Sequence, residues 1–275
     1  MAAQQAGFTL VELVMSLATT ALVIVVLGGL IMAVHRAREH TYGLEDATTQ
    51  ARATLERIRF MISQAGLQAV NGQPIQPGLA IIPHRWGVLD MPDVLVVWSG
   101  GRQGGLADNG VLDREPLISE LIVYGPDPAA PQRLVEFAFP SQTGELSFQA
   151  SSFDSTILSL LESSAAEKLV LCDRVRVSQL NAYGWFAAAT QANVRFQLET
   201  TPAAGAIAAT SPGSPEWFAL PWAQGVVSRL NGLRQTTVQV ELQVLTRPPG
   251  GPFDDHPDRS LPFYDSVSRR HVYRE

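Results

Sequence analysis

The sequence predicts an α+β chain: one long N-terminal helix, apolar in its first half and amphipathic in its second, followed by an antiparallel β-sheet domain. Three observations carry that reading. Residues 8–34 form a nearly unbroken apolar run, residues 44–65 repeat an apolar or small residue at alternating steps of four and three, and residues 236–246 alternate apolar and polar side chains with period two.

The apolar run, Phe8 to Val34, is interrupted only by Thr9, Glu12, Ser16, Thr19, Thr20, Gly28 and Gly29. As a helix it would measure roughly 40 Å, more than the ~30 Å hydrocarbon core of a bilayer. A secretory signal peptide has a basic start, a shorter apolar stretch and a small-x-small cleavage site after it. Here the flanks are "MAAQQAG" and "AVHRAREH", and the run is too long, so it reads as a retained span.

The polar continuation places Leu44, Thr48, Ala51, Leu55, Ile58, Ile62 and Ala65 on one helical stripe, with Gly66 as the stop. One helix from Phe8 to about Ala65 is therefore expected, its second half laid on a sheet. Strands are expected at 79–83, 93–98, 118–124, 133–139, 168–180, 193–199 and 236–246, which are apolar, β-branched runs separated by Gly, Pro, Asp and Asn. In the last, Val238, Val240, Leu242 and Val244 alternate with Gln239, Glu241 and Gln243, as in an antiparallel strand with one wet face. Residues 153–166 suggest a short helix. Residues 201–215 and 246–262 read as Pro- and Gly-rich connectors, the first of them mobile.

Composition excludes several functions. Net charge is −6 and Lys168 is the only lysine, with no basic block, so nucleic acid is not an expected partner. Cys172 is the only cysteine, so no intramolecular disulfide can form, no multi-thiolate zinc site exists, and no lipidated cysteine follows the apolar run. In an apolar strand pattern Cys172 reads as inert core.

The glycine-rich "WSGGRQGG" (98–105) lacks a GK[ST] ending and a following helix, so it reads as a turn rather than a phosphate loop. Two acidic clusters, Asp254, Asp255, His256 and Asp258 in one loop and Asp108, Asn109, Asp113 and Glu115 around an "NG" turn in another, read as solvated loops. The five histidines show no ligand spacing and no Ser sits in a G-x-S-x-G setting, so no catalytic residue, metal site or cofactor is expected.

Within the apolar run, Glu12 is the anomaly. Translocon-type scales put an acidic residue inside a bilayer at roughly 2.5–3.5 kcal/mol. The stretch "GFTLVEL", Gly7 to Leu13, resembles the cleavage and methylation site of type IV prepilins and type II secretion pseudopilins. The resemblance covers about a tenth of the chain together with its apolar helix. It implies that a prepilin peptidase cuts between Gly7 and Phe8 and methylates the Phe8 amine, and that the helix stays on the mature protein. Glu12 then matches the family's acidic assembly position, where its carboxylate meets the N-terminal amine of a neighbouring subunit. A paired charge in a dry environment is far less costly than a lone one.

Residues 1–7 would be the leader, 8–34 the transmembrane and assembly helix, 35–66 its amphipathic continuation and 67–275 an extracytoplasmic β-rich domain of pilin-like architecture. The leader departs from the family in lacking Lys or Arg, and Arg36 and Arg38 flank the far end, so the positive-inside rule alone would orient the helix backwards. Gly29, next to Gly28, stands where many major pilins carry a proline, and a glycine pair can serve as the flexible point.

The resulting expectation is a minor pilin or pseudopilin. Its partners would be the prepilin peptidase, other pilin or pseudopilin subunits and the inner membrane, with the domain in the periplasm. The alternative is a membrane-anchored enzyme, binding or sensor domain that acts outside any filament.

Overall fold

The computed structural model describes residues 9–70, 74–86, 89–180, 189–247 and 260–274. The chain divides into two units, Met1–Asp46 and Ala47–Glu275. Helix α1 (Leu10–Ser63) runs without a break from the first into the second and ends two residues short of the expected Ala65. In the first unit no described side chain is buried, and the helix continues through Gly28 and Gly29.

In the second unit α1 buries Ala47, Ala51, Thr54, Leu55, Ile58, Met61 and Ile62. The expected stripe is thus present from Ala51 onward, and Ala65 joins it in the core. Leu44 is exposed in the first unit and Thr48 sits half-buried at the edge of the stripe. The polar member, Thr54, donates its hydroxyl to the Leu171 carbonyl at 3.0 Å, so its burial leaves no unpaired group. After the helix, the Gly66 amide donates to the Trp98 carbonyl and its carbonyl accepts from Gly78. A Cβ at Gly66 would press within 3.2 Å of the Trp98 ring, which accounts for glycine at this hand-over from helix to sheet.

The strands follow in chain order: β1 (Leu67–Gln68), β2 (Gln76–Pro77), β3 (Leu79–Trp86), β4 (Leu89–Trp98), β5 (Val111–Leu112), β6 (Leu121–Asp127) and β7 (Ala130–Ala138). Helix α2 (Phe153–Glu162) precedes β8 (Glu167–Cys172), β9 (Val177–Leu180), β10 (Ala189–Ala192) and β11 (Val194–Thr201). Short helices α3 (Ala204–Ala208) and α4 (Pro215–Ala219) then lead to β12 (Asn231–Leu245) and β13 (Ser260–Arg274).

An antiparallel five-stranded sheet has the order β3-β4-β6-β7-β8, and an antiparallel three-stranded sheet the order β11-β12-β13. A small sheet, β2-β1-β5, includes the parallel pair β1–β5, and β9 and β10 form a separate antiparallel pair.

The buried side of α1 shares one core with Leu95, Val97, Ile122 and Tyr124 of the five-stranded sheet and Phe196, Val238, Val240, Leu242 and Val244 of the three-stranded sheet. The opposite face of the five-stranded sheet, through Val94, Val96, Trp98, Leu121, Val123 and Phe137, packs with Phe153, Ile157 and Leu161 of α2. Burial on both faces explains why "DVLVVW" reads as a continuous apolar run, whereas β12 keeps the strict alternation expected of a sheet with one wet face.

The structure departs from the sequence reading at four places. The expected strand 118–124 begins as a 3-10 turn, Ile118–Glu120, because the Glu120 carboxylate accepts from the Leu117 amide, the Trp98 indole and Arg114. The expected strand 168–180 is two strands: between them Val175 bridges Val244 and the Arg176 amide donates to Gln243, so the chain crosses from one sheet to the other. The connector 201–215 carries α3, whose Ile207 is buried with Trp217 and Trp222. The second connector ends earlier than expected, and Ser260–Arg274 forms a strand fully paired with β12; its inward Asp265 and Arg269 interrupt the apolar pattern and hide it.

The glycine-rich turn is as expected, with Gly100, Gly101, Gly104 and Gly105 all at positive φ. The acidic loop containing Asp254, Asp255, His256 and Asp258 lies outside the described residues, and among those described no group of His, Cys, Asp or Glu is arranged to hold a metal ion.

Candidate membrane and assembly segment

Helix α1 is the one described helix long and apolar enough to cross a membrane, with a mean hydropathy of 2.6 over its most apolar stretch and none of that stretch buried. Leu10, Val11, Val25 and Leu30 are each more than half exposed, which in water would leave a large unpartnered apolar surface. The hydroxyls within the run are satisfied by the helix itself. Thr19 donates to Met15 and Ser16 at 3.0 Å, and Thr20 donates to Ser16 at 2.7 Å. This back-bonding is what an apolar solvent requires of a polar side chain with no other partner.

Of the residues singled out by the sequence, Gly7 and Phe8 lie outside the described residues. Glu12 stands on the first turn of α1. Its Oε2 accepts from both the Thr9 amide and the Thr9 hydroxyl, each at 2.9 Å, while its own amide donates to Thr9 Oγ1 at 3.4 Å. This is a capping box: Thr9 and Glu12, three apart, satisfy each other's orphan groups at the helix start. The signal was present in the sequence as T-x-x-E within "FTLVEL". Both Thr9 bonds fall on Oε2, so Oε1 has no hydrogen-bond partner among the described residues.

In the second unit, sequence periodicity did not reveal how α1 is fixed to the sheet. Arg57 of α1 meets Glu136 of β7 through Nε at 2.7 Å and Nη2 at 2.9 Å. Tyr124 of β6, directly across the ladder from Glu136, donates its hydroxyl to the same carboxylate at 3.0 Å. Arg57 also donates to the Arg102 carbonyl at 2.9 Å, and the Arg102 guanidinium approaches Glu136 at 3.6 Å. Burial, then the Glu136 charge, drives the Tyr124 phenol well above its ordinary pKa, while the Glu136 hydrogen bond raises that of Arg57. The network welds helix to sheet and has no free nucleophile or base. Cys172 is likewise enclosed, with its thiol 3.7 Å from Gln50 Oε1.

Comparison with family models, curated proteins and solved structures finds no match.

Proposed function

We propose that the chain is a minor pilin or pseudopilin subunit, anchored in the inner membrane by α1 with its sheet domain in the periplasm and incorporated through α1 into a type IV pilus or a type II secretion pseudopilus. The observation that carries the proposal is that the described part of the motif, Thr9 to Leu13, opens a helix whose apolar span has no buried residue. In a plain membrane anchor Glu12 serves as a helix cap alone; in a staggered stack of helices its charge gains a second use.

The capping geometry adds support. Glu12 holds Thr9 with one oxygen and keeps the other for a cation, which a methylated Phe8 amine of a neighbouring subunit would supply in a poorly screened environment. The domain acts as a structural and partner-contacting element and not as an enzyme, and the prepilin peptidase and similar subunits are its partners.

Mass spectrometry of the mature N-terminus in the native host tests the proposal. The expected product begins at methylated Phe8, and replacing Gly7 with a bulky residue leaves the precursor uncut. An intact leader on protein recovered from cells with an active prepilin peptidase would refute it.

A further inference from the structure

One end of the inward face of the three-stranded sheet is cationic instead of apolar. Along β12 and β13 the row Val238–Val267 gives way to Thr236–Arg269 and then to Arg234–His271, each pair directly opposed in the ladder. Arg234 is 5% and His271 2% exposed. Buried charges are ordinarily paired with an opposite charge, yet among the described residues neither Arg234 nor Arg269 has a carboxylate within ion-pair distance. Arg234 is held by neutral groups alone. Its Nε and Nη2 donate to the Pro202 carbonyl at 3.2 and 3.0 Å, and its guanidinium lies 6.0 Å from the centre of the Tyr273 ring.

The groups around His271 reinforce the imbalance. Arg234 and Arg269 both act on it as like charges. The nearby acids are engaged or distant: Asp265 pairs with Arg59 of α1 at 2.6 Å, and Asp108 reaches Arg269 only through the longer-range field. Neither ring nitrogen of His271 has a hydrogen-bond partner, and both are buried. The neutral imidazole thus has one N–H without an acceptor and one lone pair without a donor, beside two guanidinium groups that have no carboxylate within ion-pair distance among the described residues.

A cavity of about 290 Å³ is lined by Arg234, Thr236, Thr200 and Gln76 with Leu79 and Leu198 as its apolar wall; His271, opposite Arg234 in the ladder, and Arg269 do not line it. We infer that it is a binding site for a small oxyanion, sulfate-like or carboxylate-like, anchored by the Arg234 guanidinium with the one free proton of the mutually bonded Thr200–Thr236 hydroxyl pair beside it and His271, outside the lining but opposite Arg234, as a proton-dependent source of further positive field. With Nε and one Nη2 hydrogen on the Pro202 carbonyl, the Nη1 and remaining Nη2 hydrogens of Arg234 are the paired donors left for such a ligand. Because His271 gains a proton more readily beside a bound anion, affinity rises as pH falls.

Titration calorimetry on the full-length chain in detergent, with sodium sulfate and separately sodium succinate against chloride at matched ionic strength, tests the site. Saturable heat is expected from at least one of the two, which identifies the ligand class. R234Q should abolish it, and R270Q, a change on the solvent face of β13, should keep it. For sulfate, which keeps its charge in the acidic range, affinity should tighten by up to about tenfold per unit of falling pH, and H271N should flatten that dependence. Since R234Q could fold poorly, the wild-type titration stands on its own: no saturable heat from either anion overturns the inference, as does equal binding by a folded R234Q.

Discussion

Arg57 and Glu136, 79 residues apart, form a two-pronged ion pair in which the carboxylate is fully buried and the guanidinium is partly open to solvent. The pair ties the C-terminal part of α1 to β7 of the five-stranded sheet, and Tyr124 of β6 completes the shell around the acid. Glu136→Gln keeps the shape and removes the charge. It should cost about 3 kcal/mol, because the Arg57 cation loses its partner in a partly desolvated place. Chemical denaturation of the purified chain in detergent checks this; a midpoint within error of wild type would show that the pair merely offsets its own desolvation.

Ile58 is fully buried one residue along the helix, in the core shared by α1 and both large sheets. Ile58→Asp places an unpaired carboxylate there and should destabilise the domain by about 4 kcal/mol or more. Ile58→Val should cost only about 1 kcal/mol, since it removes one methylene. Thermal melting of the two variants separates them, and equal melting temperatures would mean that the helix does not dock as described.

These two residues mark what was legible in the sequence. Ile58 lies on a stripe visible from spacing alone, as do the alternating residues of β12, because burial on one face imposes a local period. Glu136 was not legible: in "RLVEFAF" it looks like the polar member of a strand, and its partner comes from a distant helix. β13 was hidden for the same reason. Its inward Asp265 and Arg269 break the apolar alternation, and they are tolerated because Arg59 pairs with the first and the Ser63 carbonyl accepts from the second at 2.6 Å. The Thr9–Glu12 box, by contrast, is local and could have been read directly from T-x-x-E.

His271 gives a prediction about acid. Burial, with Arg234 and Arg269 as like charges, lowers its pKa from 6.5 to about 4. Between those values the unfolded chain binds a proton that the folded chain refuses, so stability falls as pH drops from about 6.5 towards 4. The loss attributable to this residue is on the order of 3 kcal/mol at the lower limit. His271→Gln, which stays uncharged, should show a flatter stability curve across that range in chloride buffer. Parallel curves for the two proteins would indicate that His271 does not titrate in this window.

Glu12 has two roles to separate: capping α1 and pairing with a neighbour's amine. Glu12→Ala removes both. It should weaken the first turn by about 1 kcal/mol, as loss of a cap does, while easing membrane insertion by removing a polar group. Glu12→Gln separates the roles, because its carboxamide oxygen still accepts from Thr9 whereas its charge is gone. If the charge sets the register between subunits, both variants should insert, and both should fail to bring partner subunits through crosslinking and pull-down from detergent extracts. If capping were the whole of its function, Glu12→Gln would behave like wild type and Glu12→Ala would only lower the yield. Partner recovery by Glu12→Gln at the wild-type level, in cells still making filaments, would therefore leave Glu12 as a helix cap alone and remove the electrostatic basis for its place in the apolar run.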